Sequence, residues 1–119
     1  MNQRQRIGFF GENLAEKYLL KNGYQIIARN QKISFKEVDI IAEKSGQTVF
    51  VEVKTRTSDI YGEADESFGE RKFENLKKAL ENYVAQNNLL EKNVQIDLIS
   101  IDFNKNKKTA KLKHYKNIF

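Results

Sequence analysis

Two hydrophobic periods alternate along this chain. From about residue 4 to residue 22, apolar side chains return every three or four positions, at Ile7, Phe10, Leu14, Ala15, Tyr18 and Leu19. That spacing places them on one face of a helix. Asn22-Gly23 supplies its C-terminal stop, since both residue types tolerate the left-handed backbone that ends helices. Tyr24 to Ala28 reads as a short strand, followed by a polar loop from Arg29 to Phe35. The period then drops to two in EVDIIAEK and QTVFVEVKT, a hairpin joined at Ser45-Gly46. A glycine-containing loop, TSDIYGEADESFG, whose end already reads as helical, leads into a second amphipathic helix from Glu70 to Asn87. Phe73, Leu76, Leu80, Tyr83 and Val84 lie on one side of it. Two further strands, VQIDLISIDF and TAKLKHYK, turn over Asn104 to Lys108. The predicted order is α-β-β-β-α-β-β, a small α/β domain with a central mixed β-sheet flanked by helices. No linker, repeat or proline interrupts the chain, so residues 1–119 read as a single domain.

The hairpin raises the first chemical question. With Ser45 and Gly46 as a two-residue turn, Lys44 pairs with Gln47, and the register follows outward. Ile40 then faces Val51 and Val38 faces Val53 on one side of the sheet. On the other side Ile41 faces Phe50, Asp39 faces Glu52 and Glu37 faces Lys54. Opposed side chains on an antiparallel pair sit about 5 Å apart at Cβ, and like charges there destabilise the pair. A divalent cation held by Asp39 and Glu52 would offset that repulsion, and Mg²⁺ is commonly held by one or two carboxylates plus water and phosphate. The ammonium of Lys54 could then position an attacking water or a charged phosphate. The plainer alternative is a solvated sheet face with a weak Glu37–Lys54 surface pair. Glu12 falls at the edge of the first helix's apolar stripe, from which a carboxylate can reach over the sheet; Glu16 points well outside that stripe.

Composition narrows the chemistry. There is no cysteine and one histidine, His114, which excludes disulfides and thiolate zinc sites and leaves carboxylates, lysines and an oxygen-bound metal. His114 itself reads as a strand residue rather than a ligand, because no partner ligands cluster near it in sequence. The 21 Lys and Arg against 16 Asp and Glu give a net charge of +5, which favours anionic partners such as nucleic acid. Arg56 and Lys72 are candidate phosphate contacts. The NKNKK turn with Lys111, Lys113 and Lys116 makes a basic C-terminal hairpin, suited to a nucleic-acid backbone or to protecting a sheet edge. Tyr24, Tyr61 and Tyr115 could stack on bases, with core or surface packing as the alternative. No run approaches the apolar length of a membrane span, and Glu12 and Glu16 break any signal-peptide core, so a cytoplasmic protein with no membrane partner is expected.

Longer words in the sequence carry a resemblance. Glu37-x-Asp39 followed by Glu52-x-Lys54 resembles the acidic core of the restriction-endonuclease-like nucleases. Gly8-x-x-Gly11-Glu12, Ala15-x-x-Tyr18-Leu19, Gly23-Tyr24 and Arg29-Asn30 match, in order, the YraN-like family of bacterial proteins assigned to that superfamily. Glu37 to Ala42, Val49 to Arg56, Gly62, Lys72, Ala79 and Ile96-Asp97 continue the match over nearly the whole chain. The resemblance implies a restriction-endonuclease-like core and an endonuclease similar to Holliday-junction resolvases, acting on structured or branched DNA. It implies an active site of Glu12, Asp39, Glu52 and Lys54, with Asp39 and Glu52 binding Mg²⁺ or Mn²⁺, Lys54 orienting water and Glu37 as an auxiliary acid. A homodimer with two sites is implied by analogy with symmetric junctions. Lys36 stands where the family carries glycine, adding a charge near the site, and Gln95 stands where arginine is frequent. A nucleic-acid-binding or interaction module that does not cleave is the alternative from a different class.

Overall fold

In a computed structural model, residues 1–57 and 70–118 are described. Most of the glycine-containing loop, with Tyr61 and Gly62, lies outside the described residues. Helix α1 (Gln3–Lys21) opens with a capping box: the Asn2 side chain accepts the Gln5 amide at 2.8 Å, and the Asn2 amide donates to Gln5 Oε1 at 3.0 Å. It closes at Gly23, whose φ of +88° lets the Tyr24 amide turn back to the Leu19 carbonyl at 2.9 Å. Strands β1 (Gln25–Ile33), β2 (Lys36–Lys44) and β3 (Gln47–Thr57) form an antiparallel meander. Helix α2 (Glu70–Gln86) and a 3₁₀ turn at Glu91–Asn93 precede β4 (Val94–Asn104), which runs parallel to β3. An antiparallel β5 (Thr109–Tyr115) completes a mixed sheet in the order β1-β2-β3-β4-β5. The α-β-β-β-α-β-β order is as predicted, and it fits the restriction-endonuclease-like arrangement.

The two sheet faces bury separate cores. Against α1, Ala15 and Leu19 pack on Ile40, Ala42, Val49, Val51, Ile99 and Ile101. Against α2, Leu76, Ala79 and Leu80 pack on Ile33, Val38, Ile41, Phe50, Val94 and Ile96. Full burial of each Val, Leu, Ile or Phe among them is worth about 1.5–3 kcal/mol, so both helices are held chiefly by these stripes. Phe10, expected in the apolar stripe of α1, is instead 55% exposed and leans on Phe103 at 5.4 Å. Gly11 allows α1 to lie close to β3: a Cβ added there would overlap Thr55 Cγ2 and come within 3.2 Å of Thr55 Cβ.

Two local expectations are corrected. The polar segment Arg29–Ile33 is strand rather than loop, and pairs with β2 from Arg29↔Ile40 to Ile33↔Lys36. β1 is an edge strand, where polar side chains can face water without leaving the ladder. The hairpin register holds from Ile40↔Val51 to Lys44↔Gln47, but the β2–β3 ladder ends at Ile40. Beyond it Val38 joins the α2 core with Ile41 and Phe50, while Val53 packs on the α1 side, so these two valines do not share a face. The alternation of β2 therefore breaks at Asp39, across from Asn30, which takes a φ of +50° in β1.

Candidate functional site

The break in β2 creates the site. Where the next ladder bond of β3 would form, the Asp39 side chain substitutes: its Oδ2 accepts the Val53 amide at 2.8 Å. Glu52, on the neighbouring position of β3, is 2% exposed. It lies close enough to Asp39 for both Coulombic repulsion and a shared hydrogen bond to act on that carboxyl. Burial first, then the Glu52 charge, push the Asp39 pKa up to about 8, against a partial lowering by the Val53 amide; Glu12 adds a smaller repulsion.

Glu52 is met from two directions. Lys72 of α2 places Nζ 2.8 Å from Glu52 Oε2, and Lys36, at the start of β2, places Nζ 3.5 Å from the same oxygen. The other oxygen, Oε1, is buried and makes no hydrogen bond of acceptable geometry among the described residues. Such an atom costs roughly 1–3 kcal/mol unless something fills its coordination. Lys54 lies two residues on from Glu52, hence on the same face of β3, about 7 Å along the strand.

The remaining expected residues divide. Glu12 reaches the rim of the site but is held by Arg29 of β1, whose Nη2 lies 3.2 Å from Glu12 Oε1. The same guanidinium donates to Asn13 Oδ1 at 2.7 Å and lies 3.5 Å from Glu16 Oε1. Glu16, expected to point away, is thus part of this clamp. Arg56 pairs with Asp102 of β4. Glu37 is exposed opposite Lys32 of β1 and beyond the end of the β2–β3 ladder, so it does not face Lys54. Among the described residues, no group of three His, Cys, Asp or Glu side chains converges in a metal-binding arrangement.

Sequence reasoning missed three groups of contacts. Lys36 and Lys72 both settle on Glu52, although Lys36, standing where glycine was expected, already signalled an extra charge. Arg29 clamps α1 to β1. His114 joins a buried cluster: its Nε2 lies 2.7 Å from Asp97 Oδ2 and its Nδ1 2.9 Å from the Tyr18 hydroxyl. No local pattern links residues so distant in the chain.

Residues 11–101 match the family described as "Uncharacterised protein family UPF0102". The chain belongs to the UPF0102 (YraN) family. It is 38% identical over 115 residues to a UPF0102 protein of Syntrophomonas wolfei, covering 97% of this chain and 98% of that one. A relative from Carboxydothermus hydrogenoformans is 37% identical over 118 residues, covering 99% and 98%. One from Flavobacterium psychrophilum is 35% identical over 119 residues, covering 100% and 98%. The UPF0102 fold is also similar to the solved structure of Pyrococcus furiosus SfsA in complex with Ca²⁺, with a TM-score of 0.41 and 18% identity; this chain is covered over 95% of its length and spans 63% of that one. No described helix of this UPF0102 chain is long and apolar enough to cross a membrane.

Proposed function

We propose that this protein is a Mg²⁺- or Mn²⁺-dependent endonuclease that hydrolyses phosphodiester bonds in structured or branched DNA. The observation that carries the reading is the pair of carboxylates, half-buried Asp39 and buried Glu52, with Glu52 Oε1 lacking a hydrogen-bond partner among the described residues. An all-oxygen donor set suits a hard cation, and two carboxylates leave the remaining coordination to water and phosphate, as Mg²⁺ prefers. When bound, the cation would polarise the phosphate and lower the pKa of a bound water.

The chain's own residues supply the rest. Asp39 and Glu52 would hold the cation, with Asp39 losing its proton as it bound. Lys54 orients the attacking water and steadies the charge that grows on the phosphate oxygens. Lys36 and Lys72 keep Glu52 in place and balance its charge as the site changes occupancy. Glu12, with Arg29 behind it, sets the acidic rim. The same two lysines favour a second reading: they already offset Glu52 without a metal, as a binding module that never cleaves would need.

Cleavage of labelled single-stranded, duplex, flap and four-way-junction DNA with Mg²⁺, Mn²⁺ or EDTA separates the two. Metal-dependent cutting should fall at least about a hundredfold in both Glu52→Ala and Lys54→Ala proteins that remain folded. Binding without cutting by the wild-type protein, unchanged in both variants, would establish the binding module instead.

A further inference from the structure

α2 covers only part of its face of the sheet. Its core partners come from β1, β2, the middle of β3 and the start of β4. Beyond them the C-terminal half of β3, with β4 and β5, forms an open trough of about 280 Å³ whose lining includes Lys54, Arg56, Ser100, Asp102, Lys113 and Tyr115. The register explains its make-up. Lys54 pairs with Ser100, and Ser100 with Lys113, so these three side chains form one row across three strands. The row nearer the acidic site is Glu52, Leu98 and Tyr115. The opposite face of the same strands is apolar, with Val53, Ile99, Ile101 and Leu112 in the α1 core. The alternation of KLKHY in β5 thus sends Leu112 and His114 inward and Lys113 and Tyr115 into the trough.

We propose that this trough is the track for the phosphodiester backbone of a nucleic-acid strand leading away from the Asp39–Glu52 site. The inference rests on the nuclease reading for its direction, since Lys54 belongs to both. Among the described residues, its lining carries three cationic side chains, Lys54, Arg56 and Lys113, and the carboxylate of Asp102, which pairs with Arg56. The row from Lys54 through Ser100 to Lys113 is roughly 10 Å long, two strand spacings; the Lys54 Nζ is buried, so the Ser100 hydroxyl and the Lys113 ammonium are the donors its open end offers. That order of donors suits consecutive phosphates of a polymer. The trough opens at β5, the edge strand, so a chain can pass out of it. Tyr115, 45% exposed, presents a ring on which a base can stack.

The test measures binding of a labelled four-way-junction DNA in EDTA over a range of salt concentrations. The wild-type protein is compared with Lys113→Gln and with Lys107→Gln, which removes the same charge from the exposed hairpin turn outside the trough. Lys113→Gln should weaken binding and make the slope of log K against log salt shallower by about 0.9, while Lys107→Gln leaves the slope unchanged. An unchanged slope in Lys113→Gln, an equal loss in Lys107→Gln, or a wild-type protein that does not bind the junction would each overturn the track. Parallel cleavage in Mg²⁺ keeps the two ideas apart. Binding that depends on Lys113 without any cutting would sink the nuclease reading alone. Cutting by the wild type, with a wild-type slope in Lys113→Gln, would sink the track alone.

Discussion

Asp97 of β4 is fully buried, and it draws partners from its own strand, from β5 and from the segment after β5. Its Oδ1 accepts the Asn117 amide and Gln95 Nε2, each at 2.8 Å, and its Oδ2 meets His114 Nε2 at 2.7 Å. With the carboxylate accepting only, Nε2–H donates, and in the neutral imidazole Nδ1 accepts the Tyr18 hydroxyl. Burial by itself would raise the Asp97 pKa; the bonds from His114, Asn117 and Gln95 outweigh it and hold the carboxyl below its usual range. Asparagine is nearly the same size but must turn its NH₂ group either towards His114 Nε2–H or towards the two donors, Asn117 N–H and Gln95 Nε2, on the other side. Asp97→Asn should therefore cost about 3 kcal/mol, read as a lower urea midpoint at constant m-value. A cost below about 0.5 kcal/mol would show that the cluster is dispensable.

At the scale of elements, the site depends on how closely α1 approaches β3. Gly11 sits at that contact, next to Glu12 in sequence. Alanine is the better helix former by about 1 kcal/mol, so an isolated helix would gain from Gly11→Ala. Here the added methyl overlaps Thr55 Cγ2, and overpacking of this kind costs about 1–3 kcal/mol. Gly11→Ala should therefore destabilise the fold, and Thr55→Ser in the same background, by removing that methyl, should restore at least half of the loss. A double-mutant cycle showing no coupling between the two positions would refute the close-contact account. The same scale governs Asp39. Its side chain replaces a ladder bond only because β2 loses its alternation there, a property of the β1–β2 pair and its Asn30 turn of backbone.

For the whole molecule, two shifted carboxyls among the described residues set opposite limits on stability. Asp97 is depressed, so its contribution is complete above the ordinary value near 3.8 and is lost as pH falls below it. Asp39 is raised from 3.8 to about 8, so across that window the native state holds a proton that the unfolded chain releases, and stability falls as pH rises. Without divalent cations the melting temperature should peak at about pH 4–5 and decline towards about pH 8. Asp39→Asn, which keeps an oxygen for the Val53 amide, should flatten the alkaline decline. On the proposed function, Mg²⁺ or Mn²⁺ at 100 times its Kd should restore about 2.7 kcal/mol at pH 8 and little at pH 5, where it competes with the proton. Calorimetric scans at both pH values check this; a metal effect independent of pH would place the cation elsewhere.

Local periodicity was enough to order the elements, to join β2 and β3 at Ser45-Gly46, and to set their register from Ile40↔Val51 to Lys44↔Gln47. Each of these follows from side chains alternating over a few residues, which the sequence contains directly. The same alternation put Val38 beside Val53 and stopped β1 at Ala28, and both expectations failed because a left-handed residue and an edge position change the meaning of the pattern without changing its letters. Only the tertiary structure decided that Lys36 and Lys72 both end on Glu52, that Arg29 restrains Glu12, and that Tyr18, Asp97 and His114 meet. Those contacts depend on which helix covers which face and on β4 lying between β3 and β5. Such choices come from the burial of two whole cores, so no short stretch of the chain contains them.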